Sequence, residues 1–196
     1  RLLAGSSQPR QRWRRLEKAY LRHVDLVVAA SEDLAGWLRR LDVPEARLQM
    51  IPPGKDGPQP PPAIRTDMEP EQTRRGPANP GERAGMRLLC VANWFPVKNL
   101  DVLIHAVALL PEDVSLDLVG DPTADSLYAE VVMTAIREHG LGHRVHVRGP
   151  IAPERMGTAY AASDVTVLPS AYEGYATTVA EALWFGLPVV ATAVGG

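Results

Sequence analysis

From Met86 onward, short apolar runs alternate with longer stretches in which apolar residues recur at helical spacing. A short apolar run bounded by turn residues is typical of a strand buried on both faces, as in a parallel sheet. Because such runs alternate with helical stretches over ~110 residues, the fold class is α/β, with right-handed βαβ units in a Rossmann-like parallel sheet. The predicted strands are 87–92, 115–119, 145–147 and the runs from 165 and 189, and the predicted helices are 100–110, 124–139, 153–162 and 178–185.

The chain before Met86 is organised differently. Nine of the 18 prolines fall within residues 52–85, a stretch without hydrophobic periodicity, which predicts a linker. Before the linker, periodicity predicts helices over 12–23 and 32–41, the second capped by Ser31, and strands over 25–30 and 48–51. The predicted organisation is the tail of one Rossmann-like domain (1–52), a linker (53–85) and a second, incomplete Rossmann-like domain (86–196).

Composition narrows the classes of function. With 45% hydrophobic and 22% charged residues, the chain is typical of a soluble globular protein, and its net charge of -2 gives no field that would attract nucleic acid. The single cysteine, Cys90, excludes an internal disulfide, fits a reducing compartment such as the cytoplasm, and is expected in the core. No apolar stretch approaches the ~20 residues needed to span a bilayer, and the apolar part of the first residues is shorter than expected for a signal peptide.

The two ends of the chain carry further expectations. The chain has no initiator Met and stops at Gly195-Gly196 just after a predicted strand, so both ends look cut. Residues 1–50 carry ten Lys and Arg against six Asp and Glu. Residues 1–15, with five arginines, predict a solvated helix start or loop, with a peripheral contact to the inner face of a membrane as the alternative.

Polar and glycine-containing loops follow the predicted strands. They are Asn93–Lys98, Gly120-Asp121, Gly149-Pro150 and Ser170–Gly174. In a parallel sheet these strand exits meet at one edge, where open α/β sheets bind their ligands. Such loops offer the donors, acceptors and cation that a sugar nucleotide requires, and Lys98 is the cation nearest to a strand exit.

Two carboxylates, Glu173 and Glu181, flank the start of the predicted helix over 178–185. The backbone N–H groups of Ala176, Thr177 and Thr178 at this helix start favour a phosphate. Glu181 lies about one turn inside the helix among apolar neighbours, which predicts a largely buried helix and a carboxylate that needs a partner.

The string Pro169-Ser-Ala-Tyr-Glu-Gly-Tyr175, followed by Glu181-Ala182, by Gly186-Leu-Pro-Val-Val-Ala-Thr192 and by Gly195-Gly196, resembles the nucleotide-sugar site of retaining GT-B glycosyltransferases of family 4, the glycosyl transferases group 1. The segments Val24–Ser31 and Met50–Asp56 resemble the end of the acceptor-side domain and the start of the interdomain linker in the same family. The resemblance covers nearly the whole chain apart from the linker.

The resemblance implies transfer of a sugar from a nucleotide diphosphate sugar, with retention and without a metal or other cofactor, to a sugar, lipid or small-molecule acceptor. Glu173 would bind the donor sugar's hydroxyls and Glu181 both ribose hydroxyls. Lys98 falls on the Lys of a Gly-Arg-x-x-x-x-Lys-Gly motif, in which Ala92 and Asn93 replace the Gly and the Arg. Lys98 and the amides of Thr177 and Thr178 would stabilise the leaving phosphate.

The remaining donor-binding positions implied by the resemblance are Asn93, Gly120, Gly149, Gly174, Tyr175 and Ala176. Gly120 and Gly149 would let the backbone approach the donor, although each glycine taken by itself is better explained by a turn with positive φ. Ser31 is explained as a helix cap, and His105 and His139 as surface residues. Because the resemblance places acceptor-side groups outside this sequence, the chain alone is expected to have little or no transferase activity.

Two other functions are open to the same fold class. A dinucleotide-dependent dehydrogenase is disfavoured, since no Gly-x-Gly-x-x-Gly follows the first strand of the second domain. A non-catalytic nucleotide-sugar-binding or interaction module is the second alternative, and the loss of the motif's Arg at Asn93 motivates it.

Overall fold

The computed structural model describes residues 15–54 and 85–195. Residues 55–84, which make up most of the predicted linker, and the basic residues 1–14 lie outside the described residues. Two compact units are present: one holds residues 15–54 with Glu173–Tyr175 and Gly195, and the other holds 85–172 and 176–194. Among the described residues, the helices are all too short or too polar to cross a bilayer.

The first unit is a small α/β fragment. A helix over 15–21 (α1) precedes β1 (Val27–Ala29), α2 (Glu32–Arg39) and β2 (Leu48–Met50), and the two strands pair in parallel. The Ser31 hydroxyl accepts a hydrogen bond from Leu34 N at 3.2 Å, which confirms it as the cap of α2. The core of this unit is formed by Ala29, Ala35, Leu38 and Val43.

The second unit is a five-stranded parallel sheet in the order β5-β4-β3-β6-β7, which confirms the predicted fold class. Its elements are β3 (Arg87–Val91), α3 (Leu100–Ala108), β4 (Ser115–Val119), α4 (Ser126–Glu138), β5 (Val145–Gly149), α5 (Pro153–Ala161), β6 (Val165–Leu168), α6 (Thr177–Trp184) and β7 (Val189–Ala191). The chain runs outward from β3 to β4 and β5, then crosses to the other side of β3 for β6 and β7.

Side chains of β3 alternate between two cores, one on each face of the sheet. Leu88 and Cys90 pack with residues of α3 and α4, whereas Leu89 packs with residues of α5 and α6. Alternate side chains of β3 therefore point to opposite faces of the sheet. Helices cover both faces, as parallel strands that are buried on both sides require. The burial of Cys90 confirms its predicted place in the core.

One sequence expectation about burial is wrong. The helix α6 is not largely buried: Ala182 is its buried residue, while Leu183 is 62% exposed and Trp184 is also exposed. Conversely, Trp94 in the expected exit loop is fully buried in the core shared by α3 and α4. The apolar composition of α6 could not reveal that an eight-residue helix covers the sheet with only one of its faces.

Arg144 is a buried cation that links the end of α3 to the residue before β5. Its guanidinium donates to backbone carbonyls of Val107 at 2.7 Å, Pro111 at 2.6 Å and Val114 at 3.2 Å, and also to Leu110. These carbonyls lie in the last turn of α3 and in the segment after it, where the helix dipole is negative, and two of them, Val107 O and Pro111 O, also accept a backbone N–H. Arg144 therefore stabilises the packing of α3 against the start of β5.

We expect Arg144→Met to lower the free energy of unfolding by about 3 kcal/mol, because the guanidinium's charged hydrogen bonds to several backbone carbonyls are lost together. Arg148→Met is the matched control: Arg148 contacts Asp117 at 3.0 Å in an exposed ion pair, and its loss should cost at most about 1 kcal/mol. Urea denaturation of the two variants measures both values. Equal losses would contradict the structural role of Arg144.

Candidate functional site

The winding of the second unit reverses between β3 and β6. The connections from β3 lead to β4 on one side, and the chain returns to β6 on the other side, so β3 and β6 are parallel neighbours whose exits diverge. In open α/β sheets this switch point, at the carboxyl ends of the strands, is where ligands bind. The loop after β3 contains Asn93 and Lys98, and the loop after β6 leads to Glu173.

The exits of β3, β4 and β5 are joined by backbone hydrogen bonds. Gly120 N donates to Gly149 O at 3.0 Å, and Trp94 N donates to Asp121 O at 3.1 Å. A Cβ at Gly120 would lie 2.0 Å from the Ala92 carbonyl oxygen, and its φ is +139°, so only glycine fits there. Gly149 has φ +68° with open space around the position of a Cβ. The backbone conformation alone thus accounts for glycine at both positions.

The loop after β3 places Asn93 and Lys98 at the switch point. The Asn93 side-chain oxygen accepts a hydrogen bond from Asp121 N at 3.1 Å, so this amide links the exits of β3 and β4. Lys98 is half-buried and ends a short 3-10 helix, Pro96–Lys98. Where the family motif has an Arg–Lys pair, this chain has an exposed neutral amide and one lysine.

Asn99 was missed by the sequence analysis. It has φ +48° and ψ 40°, the left-handed conformation, and its Nδ2 donates to Pro169 O at 3.1 Å, across to the loop after β6. Next to Lys98 on its other side, Val97 O accepts from Ala171 N at 2.8 Å. The final Gly of the motif aligns with Asn99. Asparagine is second only to glycine in tolerating the left-handed conformation, so the motif could have predicted this backbone conformation.

The N-terminus of α6 is open. No side chain caps it in the described part of the chain, so the first N–H groups of the helix, around Ala176, Thr177 and Thr178, are available to an anion. The Thr178 hydroxyl donates to Val91 O at 3.2 Å, at the end of β3. This bond of the Thr178 hydroxyl anchors α6 to β3.

Glu181 has the partner that its apolar surroundings require. Its Oε2 accepts a hydrogen bond of 2.8 Å from the hydroxyl of Tyr160, a fully buried residue of α5 stacked on Phe185 with ring centroids 5.1 Å apart. Burial, and then the contact with Glu181, raise the pKa of Tyr160, so the hydroxyl stays protonated and donates. Tyr160 was not found from the sequence, because 21 residues separate it from Glu181.

Glu173, Gly174 and Tyr175 belong to the first unit in their packing and join the loop after β6 to α6 along the chain. Glu173 is buried, whereas Gly174 and Tyr175 are half-buried. A Cβ at Gly195 would lie 1.7 Å from the Glu173 carbonyl oxygen, so the glycine that ends the sequence motif permits a close backbone approach to Glu173.

The switch point thus combines an open helix N-terminus, a lysine and a positioned carboxylate. The first two suit a phosphate group, and a carboxylate accepts hydrogen bonds from vicinal hydroxyls. His105 and His139 lie on the surface away from these exits, with their rings in edge contact at 4.8 Å. Within residues 15–54 and 85–195, no group of three His, Cys, Asp or Glu side chains is arranged to hold a metal ion.

Comparison with known proteins identifies the family. The family model of the glycosyl transferases group 1 matches residues 79–196, and that of the glycosyl transferase 4-like domain matches residues 1–54. The chain is 30% identical over 176 residues to D-inositol 3-phosphate glycosyltransferase of Xylanimonas cellulosilytica, covering 87% of this chain and 41% of the relative. It is also 30% identical over 199 residues to the protein of that name from Corynebacterium diphtheriae, covering 98% and 46%.

Solved structures give the same result for the fold. Sucrose-phosphate synthase from Thermosynechococcus elongatus superposes with a TM-score of 0.74 and 27% identity, over 98% of this chain and 47% of the enzyme. Anabaena Alr3699/HepE in complex with UDP-glucose superposes with a TM-score of 0.71 and 25% identity, over 91% and 50%. The chain spans about half the length of these proteins. By its match to the family model over more than half of its length, the chain belongs to the glycosyl transferases group 1, with the GT-B fold.

Proposed function

We propose that the second unit binds a nucleotide diphosphate sugar at the switch point and that the whole protein transfers the sugar to an acceptor. The observation that carries the proposal is the uncapped N-terminus of α6 beside the exit of β3, to which the Thr178 hydroxyl anchors it. A helix N-terminus held rigidly against a sheet offers fixed N–H donors and a positive dipole to a diphosphate. Two similar solved structures, both of Anabaena Alr3699/HepE, contain UDP-glucose or UDP with 25% identity to this chain.

In the proposed reaction, negative charge develops on the leaving diphosphate as the bond from the sugar to its oxygen breaks. The Lys98 ammonium and the N–H groups of Thr177 and Thr178 would stabilise that charge, and because they are fixed in advance they need little reorganisation. The amide of Asn93 would contribute neutral hydrogen bonds where the motif has a guanidinium. Ala176 would contribute through its backbone.

Glu181 would bind both ribose hydroxyls, since its carboxylate is oriented by Tyr160 and keeps further acceptor capacity. Glu173 would accept hydrogen bonds from the hydroxyls of the donor sugar, with Gly174 and Tyr175 beside it along the chain. Retention at the anomeric carbon, independence of metal ions and a sugar, lipid or small-molecule acceptor complete the proposal, and all three rest on the family resemblance.

A non-catalytic binding module remains the second candidate, and one observation favours it. Asn93 replaces the motif's Arg and has a structural contact of its own with Asp121 N, so the site has one cation fewer than the motif. The two candidates differ in the whole protein, because Glu173→Ala abolishes the function of a transferase and leaves that of a binding module intact.

We expect one of UDP, GDP and ADP to raise the melting temperature of the chain. At about 100 times the dissociation constant, the bound ligand should stabilise the fold by about 2.7 kcal/mol. Glu181→Ala should abolish most of the rise because it removes the ribose acceptor, whereas Glu130→Ala, at an exposed position of α4, should preserve it. A panel of thermal melts measures these shifts. A cooperative melt that none of the three nucleotides moves would overturn donor binding by this chain.

Tyr160→Phe should weaken nucleotide binding about tenfold, since Glu181 loses the hydrogen bond that orients it while the ring can still stack on Phe185. Tyr128→Phe is the matched control: it also removes a buried hydroxyl, which donates to Asp101 at 2.6 Å on the other face of the sheet. Isothermal titration calorimetry compares the two variants. Equal losses of affinity would show that Tyr160 does not act through Glu181.

A further inference from the structure

We propose that Asn99 is a positioning residue that fixes Lys98 at the donor site. The inference rests on the proposed function, since it assigns to Asn99 the placing of the cation that contacts the diphosphate. Asn99 would act through its side-chain amide and its left-handed backbone conformation, and would not itself contact the donor.

Lys98 lies between two hydrogen bonds that reach the same short segment after β6. On one side, Ala171 N donates to Val97 O at 2.8 Å, and on the other side Asn99 Nδ2 donates to Pro169 O at 3.1 Å. Both bonds cross the switch point between β3 and β6. Because they hold the residues immediately before and after Lys98, they fix the backbone from which the lysine side chain extends.

The side chain of Asn99 does not cap α3 and instead bonds to Pro169 O. Asn99 stands at the N-cap of α3, where an asparagine oxygen normally accepts a hydrogen bond from the first turn of the helix. Here no side-chain cap bond forms, and the backbone is left-handed with φ +48° rather than extended as at most N-caps. The amide is directed instead to a carbonyl 70 residues away in the sequence.

Fixing the backbone on both sides of the cation is more important for a lysine than for an arginine. Lysine binds a phosphate as a point charge on a flexible stem, without the planar fork that orients a guanidinium. Since the motif's Arg is replaced by Asn93, Lys98 is the cation that the site relies on, and a small displacement of its backbone would weaken its contact with the diphosphate. The bond from Asn99 supplies the missing restraint.

A double-mutant cycle on the chain tests the proposal, with Lys98→Ala, Asn99→Gly and the double variant. Asn99→Gly keeps the left-handed conformation accessible and removes only the amide. The measured quantities are the dissociation constants of the nucleoside diphosphate that binds, UDP, GDP or ADP, and of the matching nucleoside without phosphates. We expect Lys98→Ala to weaken diphosphate binding about 10- to 100-fold and Asn99→Gly about tenfold, with the double variant no weaker than Lys98→Ala. Nucleoside binding should be unchanged.

Asn99→Asp is the second variant, because it tolerates the same backbone conformation and cannot donate to Pro169; it should weaken diphosphate binding at least as much as Asn99→Gly. If Lys98→Ala weakens diphosphate binding and Asn99→Gly does not, the inference about Asn99 fails while the proposed donor site stands. Additive losses, or equal losses for nucleoside and diphosphate, would also overturn it, because they indicate a merely structural role. If Lys98→Ala has no effect, the proposed role of Lys98 fails as well.

Discussion

The parallel pairing of β3 with both β4 and β6 is the interaction on which the rest of the second unit depends. β3 is the central strand, with cores on both of its faces, and the direction of winding reverses beside it. The chain leaves β3 and β6 toward different faces, and such a reversal is where open α/β sheets bind their ligands. The open N-terminus of α6 and the loop carrying Lys98 meet at this place as a consequence of the topology.

Three polar side chains inside the unit have partners that also fix its geometry. Arg144 donates to carbonyls at the end of α3, Tyr160 donates to Glu181, and Thr178 donates to Val91 O. Each contact joins two elements that are distant in sequence, and a buried polar group without such a contact would be destabilising. The first contact serves stability, whereas the other two also position groups of the candidate site.

The fold was largely predictable from the sequence, and the contacts of the site were not. Strands such as Ser115–Val119 and the cap at Ser31 follow from local periodicity and composition, which act over a few residues. The partner of Glu181 could not be predicted, because Tyr160 reaches it only through the packing of α5 on α6. The burial of Trp94 and the exposure of Leu183 were missed for a similar reason: the face that a short element turns to the sheet is decided by its tertiary neighbours.

A crystal structure of the chain with the nucleoside diphosphate that binds it tests the donor site most directly. We expect the phosphates within hydrogen-bond distance of the backbone N–H groups of Thr177 and Thr178 and of Lys98 Nζ, with the ribose hydroxyls on Glu181. A nucleotide bound with its phosphates away from the N-terminus of α6, or with its ribose away from Glu181, would contradict the central claim that the switch point of this sheet is the donor site.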